Sequence, residues 1–423
     1  MSSELLSPAD VEGAPVGDNM KQGIDTFDTG VTAWLQVFGA WFIWFNTWGI
    51  INAYGAFQTY YEQHLLSDTS PSTIAWIGSL QSALLMLVSV ITGPLFDAGY
   101  FSVMIPLGTF LLVFGFMMSS ISTQFYQIML TQGICVGIGT GFLFTPTLAL
   151  LPQYFKRKRS LANGIAATGS SIGGVVYPIM FHKLQREIGF PWATRAIAFL
   201  ALATCSISIG VMRLRFRPQE KRALIQLSAF KEPQYILFCA ACFTGFLGFY
   251  EFLVYVQPYA IETHIVDDNL GFYLLAILNA ASTFGRIISN SIADYTGALD
   301  MLIPALTITA VLAYCWAAVH SMSGIIALSA LYGFFSGGFA SLVPVAIVRM
   351  NKDSHSIGAR LGMCWGIESV GLLIGTPIGG ALLAKTGSYL GVQMLCGTCL
   401  ALCALLLVII RVLQGGLSWR YKG

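Results

Sequence analysis

Polar residues break this chain into long apolar blocks, and some blocks, such as 103–118 and 394–410, hold no charged residue at all. A helix needs about 20 apolar residues to cross the hydrocarbon core of a bilayer. Twelve blocks meet that length: 33–56, 74–95, 102–121, 125–151, 161–182, 193–213, 235–257, 271–293, 300–319, 324–348, 360–384 and 389–413. Lipid cannot satisfy backbone N–H and C=O groups, so such segments are helical or form a closed barrel. Barrel strands alternate with period two, and these blocks do not. The pattern predicts an all-α membrane protein with twelve transmembrane helices.

Composition excludes the soluble alternatives. Of 423 residues, 56% are hydrophobic and 10% charged, against roughly a quarter charged in soluble domains. The 22 basic and 20 acidic residues cannot cover a water-facing surface, and a net charge of +2 offers no bulk attraction to nucleic acid. The five histidines (64, 182, 264, 320, 355) are scattered, which argues against an enzyme. Gly137, Gly139 and Gly141 are spaced like a nucleotide loop, but no strand precedes them and no Lys-Ser/Thr follows, so they are read as helix packing and no cofactor is expected. Cys239/Cys242 and Cys396/Cys399 have CxxC spacing. With no histidine nearby to complete a metal set, they are read as small buried apolar residues and no metal site is assigned. Residues 1–32 are polar, with six acids and a single Lys21, so the first apolar helix is expected to act as an uncleaved insertion signal.

Basic residues orient the chain. With the N-terminus in the cytosol, seventeen Lys and Arg fall on the inner side, including Lys156–Arg159, Arg213–Arg217 and Lys221–Lys231, and four fall outside: Lys183, Arg186, Arg195 and Lys385. The expectation is an even number of spans in a multi-pass protein, the plasma membrane being the expected location, with both termini cytosolic. The basic connector 214–234 then separates a six-helix half at 33–213 from a second at 235–413, flanked by tails at 1–32 and 414–423. An internal repeat agrees. Gly99, Gly164 and Gly173 precede Gly297, Gly362 and Gly371 by 198 residues each, and Asp97 precedes Asp294 by 197.

Several motifs resemble a known family. Residues 28–34, Asp28-Thr-Gly-Val-Thr-Ala-Trp34, are similar to the Asp-Gly-Gly…Trp motif before the first span of the monocarboxylate porter family. Tyr154-Phe-Lys-Arg-Lys-Arg-Ser-Leu-Ala162, with Gly164 and Gly169-Ser-Ser171, resembles that family's second signature at span five, and Gly93-Pro-Leu-Phe-Asp97 is a reduced form of the loop motif of the wider major facilitator superfamily. The similarity covers about residues 28–413 and is nearest to the fungal branch, departing at Thr29 and Thr32 where that branch has Gly. It implies the major facilitator fold, two six-helix halves in parallel repeat.

Three ionisable residues lie within spans: Glu251, Arg286 and Glu368. Charge at the bilayer centre costs at least about 2.5–3.5 kcal/mol, so each is a functional candidate. Arg286 and Glu368 are each eight residues from the basic edge, a rise of roughly 12 Å, so they are placed to meet across a cavity. Glu251 lies nearer the outer end. The resemblance implies that Arg286 recognises a substrate carboxylate, a task suited to its planar fork. It also brings Ser282 and Asn52 into register with positions where proton-coupled members carry Asp and Lys. These two residues are candidate substrate contacts, and the proton-coupled mechanism cannot be carried over. Coupling or gating candidates are Glu251, Glu368, Asp28, Asp97, Asp294 and Arg157. Trp34, Trp41, Trp44 and Trp48 recur near helical spacing and suit an aromatic cargo, lipid contact or helix packing. Gly164, Gly169, Gly173 and Gly174 on span five, and Gly371, Gly375 and Gly379 on span eleven, are expected at close helix contacts on which the halves slide.

The expected function is secondary transport of a small organic solute by alternating access. A monocarboxylate-like organic anion is favoured, carried by symport with an ion or down its own gradient, by a monomer whose other partner is the lipid bilayer. The rival readings are an exporter of a larger apolar metabolite and a non-transporting receptor on a transporter fold.

Overall fold

The computed structural model describes residues 30–216, 227–350 and 357–415. Eleven helices among them are long and apolar enough to cross a membrane, and the first apolar block supplies the twelfth in pieces. We number the membrane segments α1 (Val31–Asn46, Trp48–Asn52 and Tyr54–Tyr60), α2 (Pro71–Asp97), α3 (Phe101–Ser119), α4 (Phe125–Gln153), α5 (Arg159–Glu187), α6 (Gly189–Val211), α7 (Pro233–Glu262), α8 (Asp268–Thr296), α9 (Ala298–Ala318), α10 (Met322–Met350), α11 (Ile357–Thr386) and α12 (Leu390–Gly415). There is no strand among the described residues. Each helix coincides with one expected block, and most overrun it by a few residues at either end.

The interruptions of α1 have a local cause. The Thr47 hydroxyl donates back to the Ile43 carbonyl at 2.8 Å and its ψ of −84° breaks the helix there; such back-bonding bends helices.

The helices pair by one rule applied twice. In the first half α1 packs on α5 and α6, α4 on α2 and α3, α3 on α6, and α5 on α6; adding six to every number gives the pairing of the second half. Between halves α5 lies on α8 and α11 on α2, again related by six, and α5 also reaches α10. The repeated glycines keep their roles. Gly99 and Gly297 both hold positive φ, +87° and +111°, in the turns after α2 and α8, a conformation that excludes most side chains.

Hydrocarbon gives helices no hydrophobic reason to associate, so close backbone approach through small residues does that work. A Cβ on Gly285 would stand 1.8 Å from the Phe334 carbonyl oxygen, and one on Gly333 2.1 Å from that of Leu278, so α8 and α10 meet backbone to backbone. The glycines of α5 and α11 divide into two sets. Gly169 and Gly173 meet Trp41, Phe45 and Gly49 of α1, and Gly371 and Gly375 meet Phe243 and Leu247 of α7, all within one half. Gly164 instead meets Arg286 and Asn290 of α8, Gly174 meets Asn279, and Gly362 meets Ser89 and Val90 of α2. The expectation that Gly173 and Gly371 lie between the halves is corrected: they bind each half internally, and Gly164, Gly174 and Gly362 occupy the boundary. Large apolar side chains such as Phe110, Phe199, Val311 and Leu405 face outward from α3, α6, α9 and α12, as a lipid-facing rim requires.

Gly285→Ala is expected to push α8 from α10 and to cost about 1–3 kcal/mol of stability, lowering the thermal midpoint in detergent. Gly210→Ala, where nothing lies within 4 Å of the new methyl, serves as control. Equal midpoints for the two variants would mean that α8 and α10 are not in backbone contact.

Candidate functional site: a central cavity between the halves

One cavity of about 570 Å³, including its part open to solvent, lies between the two halves. Trp44, Trp48 and Asn52 of α1, Met86 of α2 and Phe144 of α4 form one wall. The other comes from Phe246, Phe249, Tyr250 and Leu253 of α7, Leu278, Asn279, Ser282 and Arg286 of α8, Ser336, Ala340, Val343 and Pro344 of α10, and Trp365 and Glu368 of α11.

Arg286 is placed by its helix and held by the opposite half. Asn279, Ser282 and Arg286 fall at i, i+3 and i+7, one face of α8. The Arg286 Nε donates to the hydroxyls of Ser171 on α5 at 3.1 Å and of Ser282 at 3.3 Å, and the guanidinium lies 5.9 Å from the Trp44 ring centre, within cation–π range. Its Nη1 has no hydrogen-bond partner, and neither do the indole N–H groups of Trp44 and Trp48 nor either carboxylate oxygen of Glu368, all buried. A buried polar group left unpaired costs about 1–3 kcal/mol, more when charged, and four such side chains lie around this one cavity. Tyr250 closes the ring: it stacks on Trp48 at 6.2 Å and donates to Asn52 Oδ1 at 3.4 Å across the halves.

The candidates divide by place. Arg286, Asn52, Ser282 and Glu368 are brought together at the cavity, and Arg286 and Glu368 share it without a direct hydrogen bond. Of the four tryptophans, Trp44 and Trp48 line it; Trp41 donates to Thr168 on α5 at 3.0 Å, and Trp34 packs edge-on against Phe155. Glu251 is fully buried away from the cavity, its carboxyl set against Gly375 and Gly379 of α11 with no hydrogen-bond partner. Asp28 lies outside the described residues. Asp97 is buried at the last residue of α2, and Arg157 is exposed in the loop before α5. The sequence offered no sign of Tyr250, Asn279 or Trp365, since an uncharged side chain lining a cavity reads like one that packs.

Asp294 does something more specific. Its carboxylate accepts the backbone N–H groups of Ser160 and Leu161, each at 2.9 Å, and lies 3.6 Å from the Arg349 guanidinium. A residue ending α8 thus caps the start of α5 in the other half, where orphan N–H groups and the helix dipole favour an anion. Just inside, Asn163 of α5 donates across the halves to the Ser341 carbonyl of α10 at 2.8 Å, and within the second half Asn290 of α8 donates to the Ser341 hydroxyl at 2.6 Å. The end of the molecule bearing the basic loops is therefore pinned shut by polar contacts between halves.

Two repeated helical bundles around a polar-centred cavity define a membrane transporter, and a non-enzymatic one. Comparison with known proteins agrees. Residues 33–322 match the model of the Major Facilitator Superfamily. The chain is 43% identical over 357 residues, 84% of its length and 80% of the relative's, to the MFS-type transporter dbaD of Emericella nidulans. It is 40% identical over 368 residues to the aspyridones efflux protein apdF of the same organism (87% and 75% covered), and 35% identical over 383 residues to the agnestins efflux protein AgnL12 of Paecilomyces divaricatus (89% and 87% covered). Among solved structures it resembles the transporter FucP in its outward conformation, with a TM-score of 0.67 at 14% identity, covering 89% of this chain and 98% of that one. The chain belongs to the major facilitator superfamily.

Loss of the Asp294 cap is expected to cost about 1–2 kcal/mol, a factor of about 5–30 in opening. In a background free of other cysteines, Ser341→Cys should react with N-ethylmaleimide faster by about that factor when Asp294→Ala is added. An unchanged rate would show that the cap does not hold this end closed.

Proposed function

We propose that the chain exports a partly aromatic, oxygen-bearing organic solute with an acidic group, and that Arg286 binds the acid. The observation that carries the reading is the set of unpartnered buried donors, Arg286 Nη1 and the indoles of Trp44 and Trp48, on residues of one aromatic-walled cavity. A guanidinium fork pairs with a carboxylate or acidic enol in two parallel bonds, and the rings supply apolar area with a preference for flat partners. The efflux proteins for aspyridones and agnestins among its relatives support export and a larger cargo. The organic-anion reading is kept in this broader form, and membership of the fungal branch of the monocarboxylate porter family remains part of the proposal.

Glu368 is assigned the coupling role because it shares the cavity with Arg286, whereas Glu251 does not. An anionic solute entering beside Glu368 meets a second carboxyl whose charge state sets how firmly Arg286 is available. Asp294, with Asp97, Asp28 and Arg157 at the same end by chain order, is assigned to gating. On the bias of basic residues, both tails and the 214–234 connector are assigned to the cytosol, and the protein is taken to act as a monomer in the plasma membrane.

Binding is read from tryptophan fluorescence with naphthoic acid and its methyl ester as probes. The acid should bind tighter by about tenfold or more, the worth of one charge-assisted hydrogen bond; Arg286→Lys, which keeps the charge and loses the fork, should shrink the difference, and Arg286→Ala should erase it, both sparing the ester. Equal binding of acid and ester by the wild type would remove Arg286 from the solute site. Arg286→Ala with Glu368→Gln should be stable in detergent yet fail to export; an ion pair serving structure alone predicts recovery of both. For orientation, labelling from outside cells should reach Thr263→Cys and miss Ile225→Cys, and the reverse pattern would invert the topology.

A further inference from the structure

Behind the cavity wall lies a cluster of which the transport reading uses Glu368 alone. Cys242 on α7 and Cys364 and Glu368 on α11 bring two thiol sulfurs and a carboxylate oxygen within 4.8 Å of one another, all three side chains buried. CxxC spacing on α7 and the i, i+4 spacing of Cys364 and Glu368 put these donors on the facing sides of two helices. Those helices cannot drift apart, because Gly371 and Gly375 hold α11 against the α7 backbone. Neither oxygen of Glu368 has a hydrogen-bond partner, although the residue is fully buried. The thiols neighbour it without satisfying it.

We propose that Cys242, Cys364 and Glu368 form a binding site for a soft or borderline divalent cation of the zinc and cadmium class. Two thiolates select such ions over magnesium or calcium, which take oxygen donors. Around zinc, sulfur sits at about 2.3 Å and carboxylate oxygen at about 2.0–2.2 Å, so the present triangle closes on an ion by small side-chain rotations. On binding, Cys242 and Cys364 each release a proton and coordinate as thiolates. A divalent ion with two thiolates and one carboxylate carries one net negative charge, which the Arg286 guanidinium on the same cavity offsets. The fourth position takes water from the cavity, because Glu368 lines it and the ion enters past that side chain. An ion seated here ties α7 to α11 and draws Glu368 from the solute. Metal is thus an inhibitor of transport acting from inside the wall. The site is independent of which solute the cavity accepts.

The test uses Cd2+ added to the reduced, metal-free full chain in detergent, followed by the ultraviolet thiolate-to-cadmium charge-transfer band. The expected band saturates at one ion per chain, is lost in Cys242→Ser and Cys364→Ser, and survives Cys135→Ser, which removes a thiol in the other half. Glu368→Gln should keep part of the band and weaken affinity by about tenfold or more. A further variant, Cys364→Ala, covers the case in which serine disturbs packing. If folded Cys364→Ala binds Cd2+ like the wild type, or if Cys135→Ser abolishes the band, the site is not where the structure assigns it and the proposal fails.

Discussion

The absence of water in the hydrocarbon core is the constraint from which the rest of this molecule follows. It forces the backbone into helices, because no other open structure satisfies its own N–H and C=O groups. It also removes the usual drive for helices to associate, leaving close van der Waals contact to do so. That is why the strongest contacts run through glycine: Gly285 on Phe334, Gly333 on Leu278, Gly169 on Trp41 and Gly371 on Phe243. The same constraint collects polar side chains at the boundary between the halves. Arg286 takes one of its hydrogen bonds from the far half, and Asp294 spends its carboxylate on the N-terminus of a helix that it does not belong to.

A boundary built this way is strong in places and weak in others, as the proposed alternating access requires. Within each half, α1 meets α5 and α7 meets α11 through glycine and backbone, contacts that leave no room to slide. Between halves, the glycine contact at Gly164 is accompanied by hydrogen bonds to Asp294 and from Asn163 that water can replace once the gap opens. Asp294 on the Ser160 and Leu161 amides is the clearest case. Giving up such a cap costs about 1–2 kcal/mol, small enough for solute binding to offset. The cap can therefore select one end as closed without locking it.

Much of the fold was legible because a membrane span writes its length and its apolar character directly into the chain. All twelve blocks reappear as helical segments, with the helices overrunning the apolar core where their ends enter polar surroundings. The repeat was legible through Gly99/Gly297 and Gly164/Gly362, whose structural roles correspond. Gly173 and Gly371 show the limit. Their smallness announced a close contact, but smallness carries no information about which neighbour is close, and both turned out to face partners inside their own half. The charged part of the site was visible for a simple reason: Arg286 and Glu368 are costly in lipid and must be explained. Tyr250, Asn279 and Trp365 cost nothing conspicuous and stayed hidden. Cys242 was noticed for its CxxC spacing but read as apolar packing, since its neighbours Cys364 and Glu368 lie more than a hundred positions away and only the meeting of α7 with α11 makes them a cluster.

The balance of chemistry in the cavity also argues about selectivity. Aromatic walls from Trp44, Trp48, Phe144, Phe246, Phe249, Tyr250 and Trp365 bind flat apolar bodies through area, and area discriminates poorly: one methylene more or less in such a pocket is worth only about 1–3 kcal/mol. A buried polar group discriminates far better, because a solute that leaves it unpaired forfeits the full desolvation of that group. The cavity therefore divides the task on the proposed reading. Its rings tolerate many carbon skeletons, and the guanidinium fork of Arg286, with the two indole N–H groups beside it, requires an acid and oxygens at one end. A family of exporters can then change its cargo by repainting the rings while the charged centre stays. A single exporter with this centre should accept skeletons of varied shape more readily than it accepts the loss of one acidic oxygen.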